Sequence, residues 1–183
     1  MPSLDSLKEM AEVVRKVLAK LAKLLRRVVP TEEIRSQQAQ LFRRLVFDIL
    51  MDNTDDHEKS HALLWQPNGR YPLSPAFDVV PSAHGLGYQA MLVGDRATQS
   101  TLVNALSQAR QFGLKVDAAR ALISEVAAKV AGWKEAFSAQ GLAANDIDLL
   151  RSTSTATGCA ASGKRFRPVK VAGMTGRRSW VLT

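Results

Sequence analysis

A chain of 183 residues, 46% of them hydrophobic, can bury the core of one domain, or of one domain plus a tail. It holds no apolar run of about 18 residues or more, which excludes a membrane-spanning helix, and Lys8, Arg15, Lys16, Lys20 and Lys23 interrupt the N-terminal leucines as no secretory signal would. Cys159 is the one cysteine, so an internal disulfide is excluded too, and together these features predict a cytoplasmic protein with no membrane partner.

The net charge of +8 would suit an acidic partner such as nucleic acid, but it is unevenly placed. Lys164, Arg165, Arg167, Lys170, Arg177 and Arg178 lie in a C-terminal stretch that has no acidic residue after Asp148. The rest of the excess sits on the first predicted helix. The middle of the chain is not basic, so the charge says little about the chemistry there.

In chain order, Leu4, Leu7, Met10, Val14, Val17, Leu18, Leu21, Leu25 and Val28 recur at three-and-four spacing. That predicts an amphipathic helix over 4–29, stopped by Pro30, with Thr31 placed to cap the next. The second helix is predicted over 31–51, with Ile34, Leu41, Phe42, Leu45, Val46, Ile49 and Leu50 on its buried side. It delivers the chain into an acidic loop, "NTDDHEKSH", Asn53 to His61. The stretches "HALLW" (61–65) and "RYPLS" (70–74) then read as strands of a hairpin around the turn "QPNG" (66–69), where Pro fixes φ and Asn-Gly tolerates positive φ. Trp65 is expected to pack within that hairpin. The segment "PAFDVVPS" (75–82) leaves it, and 83–97 reads as irregular loop. Helices are predicted over 98–111 and 117–139, the latter capped by Asp117, with a short one near 145–151. From Ser152 onward Ser, Thr, Gly and Arg follow without period, which predicts a basic, poorly ordered tail over 152–183. The expected fold is therefore mainly α: one helical domain over 1–151 with a small β-hairpin, its chemistry concentrated in 52–82.

Asp55 and Ser60 lie on a loop closed by the hairpin, and the hairpin folds Asp78 back towards them. Phosphoryl transfer uses such a set: one carboxylate orients the attacking hydroxyl and accepts its proton, while another, with a nearby oxygen ligand, holds Mg²⁺ against the phosphates. A zinc site is not expected. His57 and His61 have helical spacing but lack a cluster of three or four ligands.

The stretch "NTDDHEKSHALLWQPNGRYPLSPAFDVVPS" resembles the catalytic segment of the HipA family of serine/threonine kinases, the toxins of bacterial toxin–antitoxin pairs. Members typically read Asn-Thr-Asp-x-His-x-Lys-Asn, then a hairpin, then Leu-x-Pro-x-Tyr-Asp. The preceding "LFRRLVFDILMDNTDD" resembles the helix that leads into that loop, so the convincing match spans about 38–82. The resemblance implies a kinase-like helical C-terminal lobe that uses ATP and Mg²⁺ to phosphorylate a protein serine or threonine. It also implies a HipB-like helix-turn-helix antitoxin as partner, with DNA reached only indirectly through that antitoxin. By position Asp55 would be the catalytic base, Asp78 a metal and nucleotide ligand, and His57 and Lys59 supports of the loop or the phosphates. Asn53 and Thr54 would shape the loop, and Asp56 falls in a variable place where it is expected to stay solvated.

Two departures stand out. The family's second metal ligand, an Asn, falls at Ser60, whose shorter hydroxyl would have to serve instead. The first glycine of the chain is Gly69, so no glycine-rich phosphate loop precedes the acidic segment. The chain therefore reads as a truncated C-terminal lobe, and the alternative is a non-catalytic helical remnant that binds the antitoxin or another protein.

Overall fold

The computed structural model describes residues 17–81 and 85–151. The start of the first predicted helix, His84 and the predicted tail over 152–183 lie outside the described residues. Six α-helices are described: α1 (Val17–Val28), α2 (Ile34–Met51), α3 (Leu102–Ser107), α4 (Val116–Val130), α5 (Trp133–Ala139) and α6 (Ala144–Arg151). Two 3₁₀ turns, Glu58–Ser60 and Ala109–Phe112, complete them. The fold is mainly helical, as expected, and extended pairing among the described residues is limited to isolated bridges.

Helix α1 buries Leu18 and Leu25 of the stripe read from the sequence, leaves Leu21 and Val28 half-buried, and adds Ala22 and Val29 to the buried face. It stops as the chain approaches Pro30, and the carbonyl of Val28 is met from outside by the backbone N–H of Tyr71 at 3.0 Å. Helix α2 runs through the centre with Leu41, Phe42, Leu45, Val46, Ile49 and Leu50 all buried, packing mainly on α4 and also on α1. Phe42 meets Phe112 edge to face, ring centroids 5.4 Å apart. Gln38 is buried in the same face and stays satisfied, because its Nε2 donates to the Ala22 carbonyl at 2.7 Å.

Several boundaries differ from the sequence reading, each for a local reason. Thr31 does not cap α2: the N–H of Glu33 bonds back to the Pro30 carbonyl at 2.9 Å, and this turn delays the helix to Ile34. The helix expected over 98–111 is α3 followed by a 3₁₀ turn, and Thr101 caps it by accepting from the Asn104 N–H at 3.2 Å. The helix expected over 117–139 breaks at Ala131 and Gly132 into α4 and α5. Asp117 lies in the first turn of α4, where a carboxylate suits the helix dipole, while Lys115 flanks the helix without a side-chain cap. The break turns Trp133 inward, buried and edge to face with Phe137 at 5.4 Å.

Residues 83–97 were expected to be irregular, but much of this stretch folds back on itself. Gln89 N donates to Thr98 O at 2.8 Å, Val93 N to Ala97 O at 3.0 Å and Ser100 N to Gly87 O at 2.9 Å. Gln89, Met91 and Val93 point inward at period two. Truncating the central ring should expose how much this core carries. Phe42→Ala is expected to lower stability by about 3–5 kcal/mol in urea denaturation, and a loss below about 1 kcal/mol would show that the Phe42–Phe112 contact is not central to the core.

Candidate active site

The end of α2 builds the site. Asp52 takes a left-handed conformation, φ 55°, and its N–H bonds to the Asp48 carbonyl. The N–H of Asn53 reaches the same carbonyl at 2.9 Å, and its side-chain Nδ2 donates to Asp48 Oδ1, also at 2.9 Å. Asp52 Oδ2 accepts from the Gly85 N–H at 2.9 Å, and the Thr54 carbonyl accepts from Ala90 at 3.0 Å. Residues 52–54 are thus buried and pinned from both sides, and the next residue, Asp55, emerges exposed. Asn53 and Thr54 shape the loop in this sense.

The 3₁₀ turn then places Ser60, with its N–H on the His57 carbonyl at 3.0 Å. The predicted hairpin is present as a short ladder: Leu64 N to Pro72 O at 2.8 Å, Gln66 N to Arg70 O at 2.9 Å and Ser74 N to Ala62 O at 2.9 Å. Gly69 supplies φ 73° at the turn, and Asn68 Oδ1 accepts from Arg70 N at 3.0 Å. Only Leu63 and Leu73 form a regular bridge, and Trp65, expected to be packed, is 64% exposed. It sits at the turn end of the hairpin, where residues 64–71 are all exposed and no other element among the described residues covers the ring.

The return of the hairpin brings Asp78 to Ser60. Ser60 Oγ donates to Asp78 Oδ2 at 3.2 Å and lies 3.3 Å from His57 Nδ1. Asp78 holds φ 56°, a left-handed conformation that L-residues adopt rarely, though Asp adopts it more readily than most. The structure thus joins His57, Ser60 and Asp78, while Asp55 and Lys59 are exposed and take no part in that hydrogen-bonded chain. Among the described residues no group of three or more His, Cys, Asp or Glu is placed to hold a metal ion. A magnesium ion would therefore rest on Asp78 and Ser60. These are two hard oxygen donors of the right kind, and they leave most of an octahedral shell to waters and phosphate oxygens.

Behind the loop lies a buried charged group that the sequence reading missed. Asp56, expected to be solvated, is 4% exposed. Its Oδ1 stands 3.0 Å from His61 Nε2, and that side chain is itself buried. His61, brought across the loop, gives the Asp56 side chain a polar neighbour inside the protein, where the sequence reading expected solvent. Arg44 and Asp48 on α2 complete the group, and an Nη2 of Arg44 donates to the Ser74 carbonyl. Burial lowers the Arg44 guanidinium from its ordinary value, opposed by the charges of Asp48 and Asp56. Burial also pushes the Asp48 carboxyl well up, reinforced by the charge of Asp56. The signal in the sequence was the placement of Arg44 and Asp48 four residues apart inside the apolar stripe of α2.

With this geometry in place, comparison shows that the HipA-like C-terminal domain matches residues 4–133. No curated protein and no solved structure gave a match. The chain belongs to the HipA-like C-terminal domain family. No helix among the described residues is long and apolar enough to cross a membrane.

The raised Asp48 sets a pH dependence. The folded chain keeps a proton on this carboxyl that the unfolded chain has released above about pH 4, so stability falls as pH rises from there towards the folded value. Asp48→Asn should flatten that decline, since an amide can still accept from Asn53. Denaturation of both proteins across a pH series checks this, and parallel curves would show that Asp48 does not hold its proton in the fold.

Proposed function

We propose that this chain is the catalytic lobe of a HipA-like serine/threonine protein kinase, which transfers the γ-phosphoryl group of ATP to a protein hydroxyl with Mg²⁺. The observation that carries this reading is the meeting of Ser60 and Asp78, 18 residues apart in sequence, at 3.2 Å beside the acidic loop. Sparsely populated backbone conformations cluster at functional sites, and the left-handed Asp78 is one.

In this mechanism Asp55, exposed at the tip of a rigid loop, orients the attacking serine or threonine hydroxyl and accepts its proton as the new O–P bond forms and the bond to the β-phosphate bridging oxygen breaks. Asp78 and Ser60 would hold Mg²⁺, which when bound offsets the charge on the phosphate oxygens. His57 fixes the Ser60 hydroxyl from the other side, and Lys59, exposed on the same turn, is free to meet phosphate. The buried Asp48–Asn53 contact keeps the loop in register, so that catalysis rests mainly on placement. A HipB-like helix-turn-helix antitoxin is the proposed partner, and any DNA contact would pass through it.

A second reading, a non-catalytic helical module that binds such an antitoxin or another protein, is favoured by one observation. Ser60 presents a short hydroxyl where the family pattern has an amide. Incubation of the purified chain with Mg-ATP and a serine- and threonine-bearing protein separates the two. Phosphate transfer reduced by about 10²–10⁴-fold in Asp55→Asn supports the kinase, whereas absence of both nucleotide binding and transfer selects the binding module. Within an active protein, Ser60→Asn should lower the Mg²⁺ concentration for half-maximal transfer. An unchanged Mg²⁺ titration would remove Ser60 from the metal site.

A further inference from the structure

Residues 85–90, further along the chain from Asp78, lie against the acidic loop. The Gly85 N–H donates to Asp52 Oδ2 at 2.9 Å, and the Ala90 N–H donates to the Thr54 carbonyl at 3.0 Å. Both ends of the segment are therefore fastened to residues 52–54. The Thr54 carbonyl belongs to the peptide group that joins Thr54 to Asp55, so Ala90 stands beside the exposed residue read above as the catalytic base.

The segment is held from behind as well. Ser100 N donates to the Gly87 carbonyl at 2.9 Å, Gln89 N to Thr98 O at 2.8 Å, and the buried Gln89 Nε2 to Ser100 Oγ at 2.9 Å. Gln89 and Met91 face the core, so by the period of two Tyr88 and Ala90 face outward. Tyr88 is 51% exposed and Leu86 is 46% exposed. Leu86 sits on a turn between Gly85 and Gly87, both left-handed at φ 56° and 72°. Tyr88 pairs with Gln99 in an antiparallel bridge, which gives its ring a neutral amide as cross-strand neighbour. Single exposed apolar residues are ordinary on a protein surface. These two are informative by their position, on a backbone pinned from both sides next to Asp55.

Spacing ties them to the acceptor. An extended chain advances about 3.3 Å per residue, so Tyr88 stands about 7 Å along the segment from Ala90 and the Thr54–Asp55 peptide. A substrate strand with its hydroxyl at Asp55 covers the same length in about two residues. The side chains that it meets there, Leu86, Tyr88, Ala90 and Gln99, carry no charge.

We propose that Leu86 and Tyr88 are specificity-determining residues, which bind an apolar side chain within about two residues of the serine or threonine to be phosphorylated. The preferred protein substrate then carries an apolar flank in place of a charged one. This rests on the kinase reading for the hydroxyl placed at Asp55, and the test keeps the two apart.

Short labelled peptides with a single serine carry Leu, Asn, Lys or Glu at each flanking position in turn. Binding to the full chain is read by fluorescence anisotropy, and transfer is read from Mg-ATP. The best Leu peptide should bind at least about fivefold more tightly than its Asn counterpart, which is similar in size but polar, with Lys and Glu weaker still. In transfer the same advantage should lie in KM, because the contact is made equally before and during the chemical step. Leu86→Ser combined with Tyr88→Ser should bring the ratio of Leu to Asn peptides close to one. Trp65→Ser, which removes an exposed ring from the hairpin instead, should leave that ratio as it is. If the double variant fails to fold by circular dichroism, Tyr88→Ser alone and the peptide series on the natural chain decide the matter. Transfer with no preference for Leu, or a preference that survives the loss of both side chains, would overturn the proposal and leave the kinase reading standing. Leu-selective binding that needs Leu86 and Tyr88 but leads to no transfer would uphold the surface and remove the kinase. Neither binding nor transfer would overturn both.

Discussion

Helix α2 ends inside the protein, and the carbonyls left open by its last turn cannot be met by bulk water. The left-handed turn at Asp52 meets this constraint. It returns the N–H groups of Asp52 and Asn53 to the Asp48 carbonyl, and Asn53 adds a side-chain bond to the Asp48 carboxyl. Because the turn is held by buried hydrogen bonds, the residues that follow leave the core in one direction. Thr54 is clamped by Ala90, and Asp55 projects outward. The candidate catalytic loop is thus the continuation of a solved capping problem.

The second side of the site depends on the hairpin. Its ladder is short and has one regular bridge, so by itself it would be a weak element. It is anchored elsewhere: Tyr71 bonds to the end of α1, Leu73 N donates to Gln37 of α2 at 3.0 Å, and the Ser74 carbonyl accepts from Arg44. Those three ties to helices place the segment 75–78, and with it the strained Asp78, against the 3₁₀ turn that carries Ser60. The acidic loop and the hairpin are therefore two outgrowths of one helix pair.

Helix α2 and the loop that follows it carry several buried ionisable groups. Arg44, Asp48, Asp56 and His61 are removed from water at a considerable desolvation penalty, which is met only in part by contacts among them. Hydrophobic replacement of such groups is often neutral or stabilising in proteins, so the stability of the fold rests on the apolar face of α2 and not on this cluster.

The elements resting on short-range rules could be read from the chain alone. The stripe Leu41, Phe42, Leu45, Val46, Ile49 and Leu50 is buried as its spacing says, the Asn68-Gly69 turn forms where its φ preference says, and the order of loop, hairpin and Asp78 marks the family that residues 4–133 match. Tertiary structure alone decided the rest. Whether Asp56 faces water depends on His61 meeting it across the loop, and whether Trp65 packs depends on whether another element reaches the turn end of the hairpin. Gly132 breaks a helix that keeps its apolar period through Trp133, because burying that ring needs a turn of the chain. Periodicity records which side of an element is apolar; it holds no information about which buried charge will find a partner, since that partner comes from another part of the chain and is brought close only by the fold.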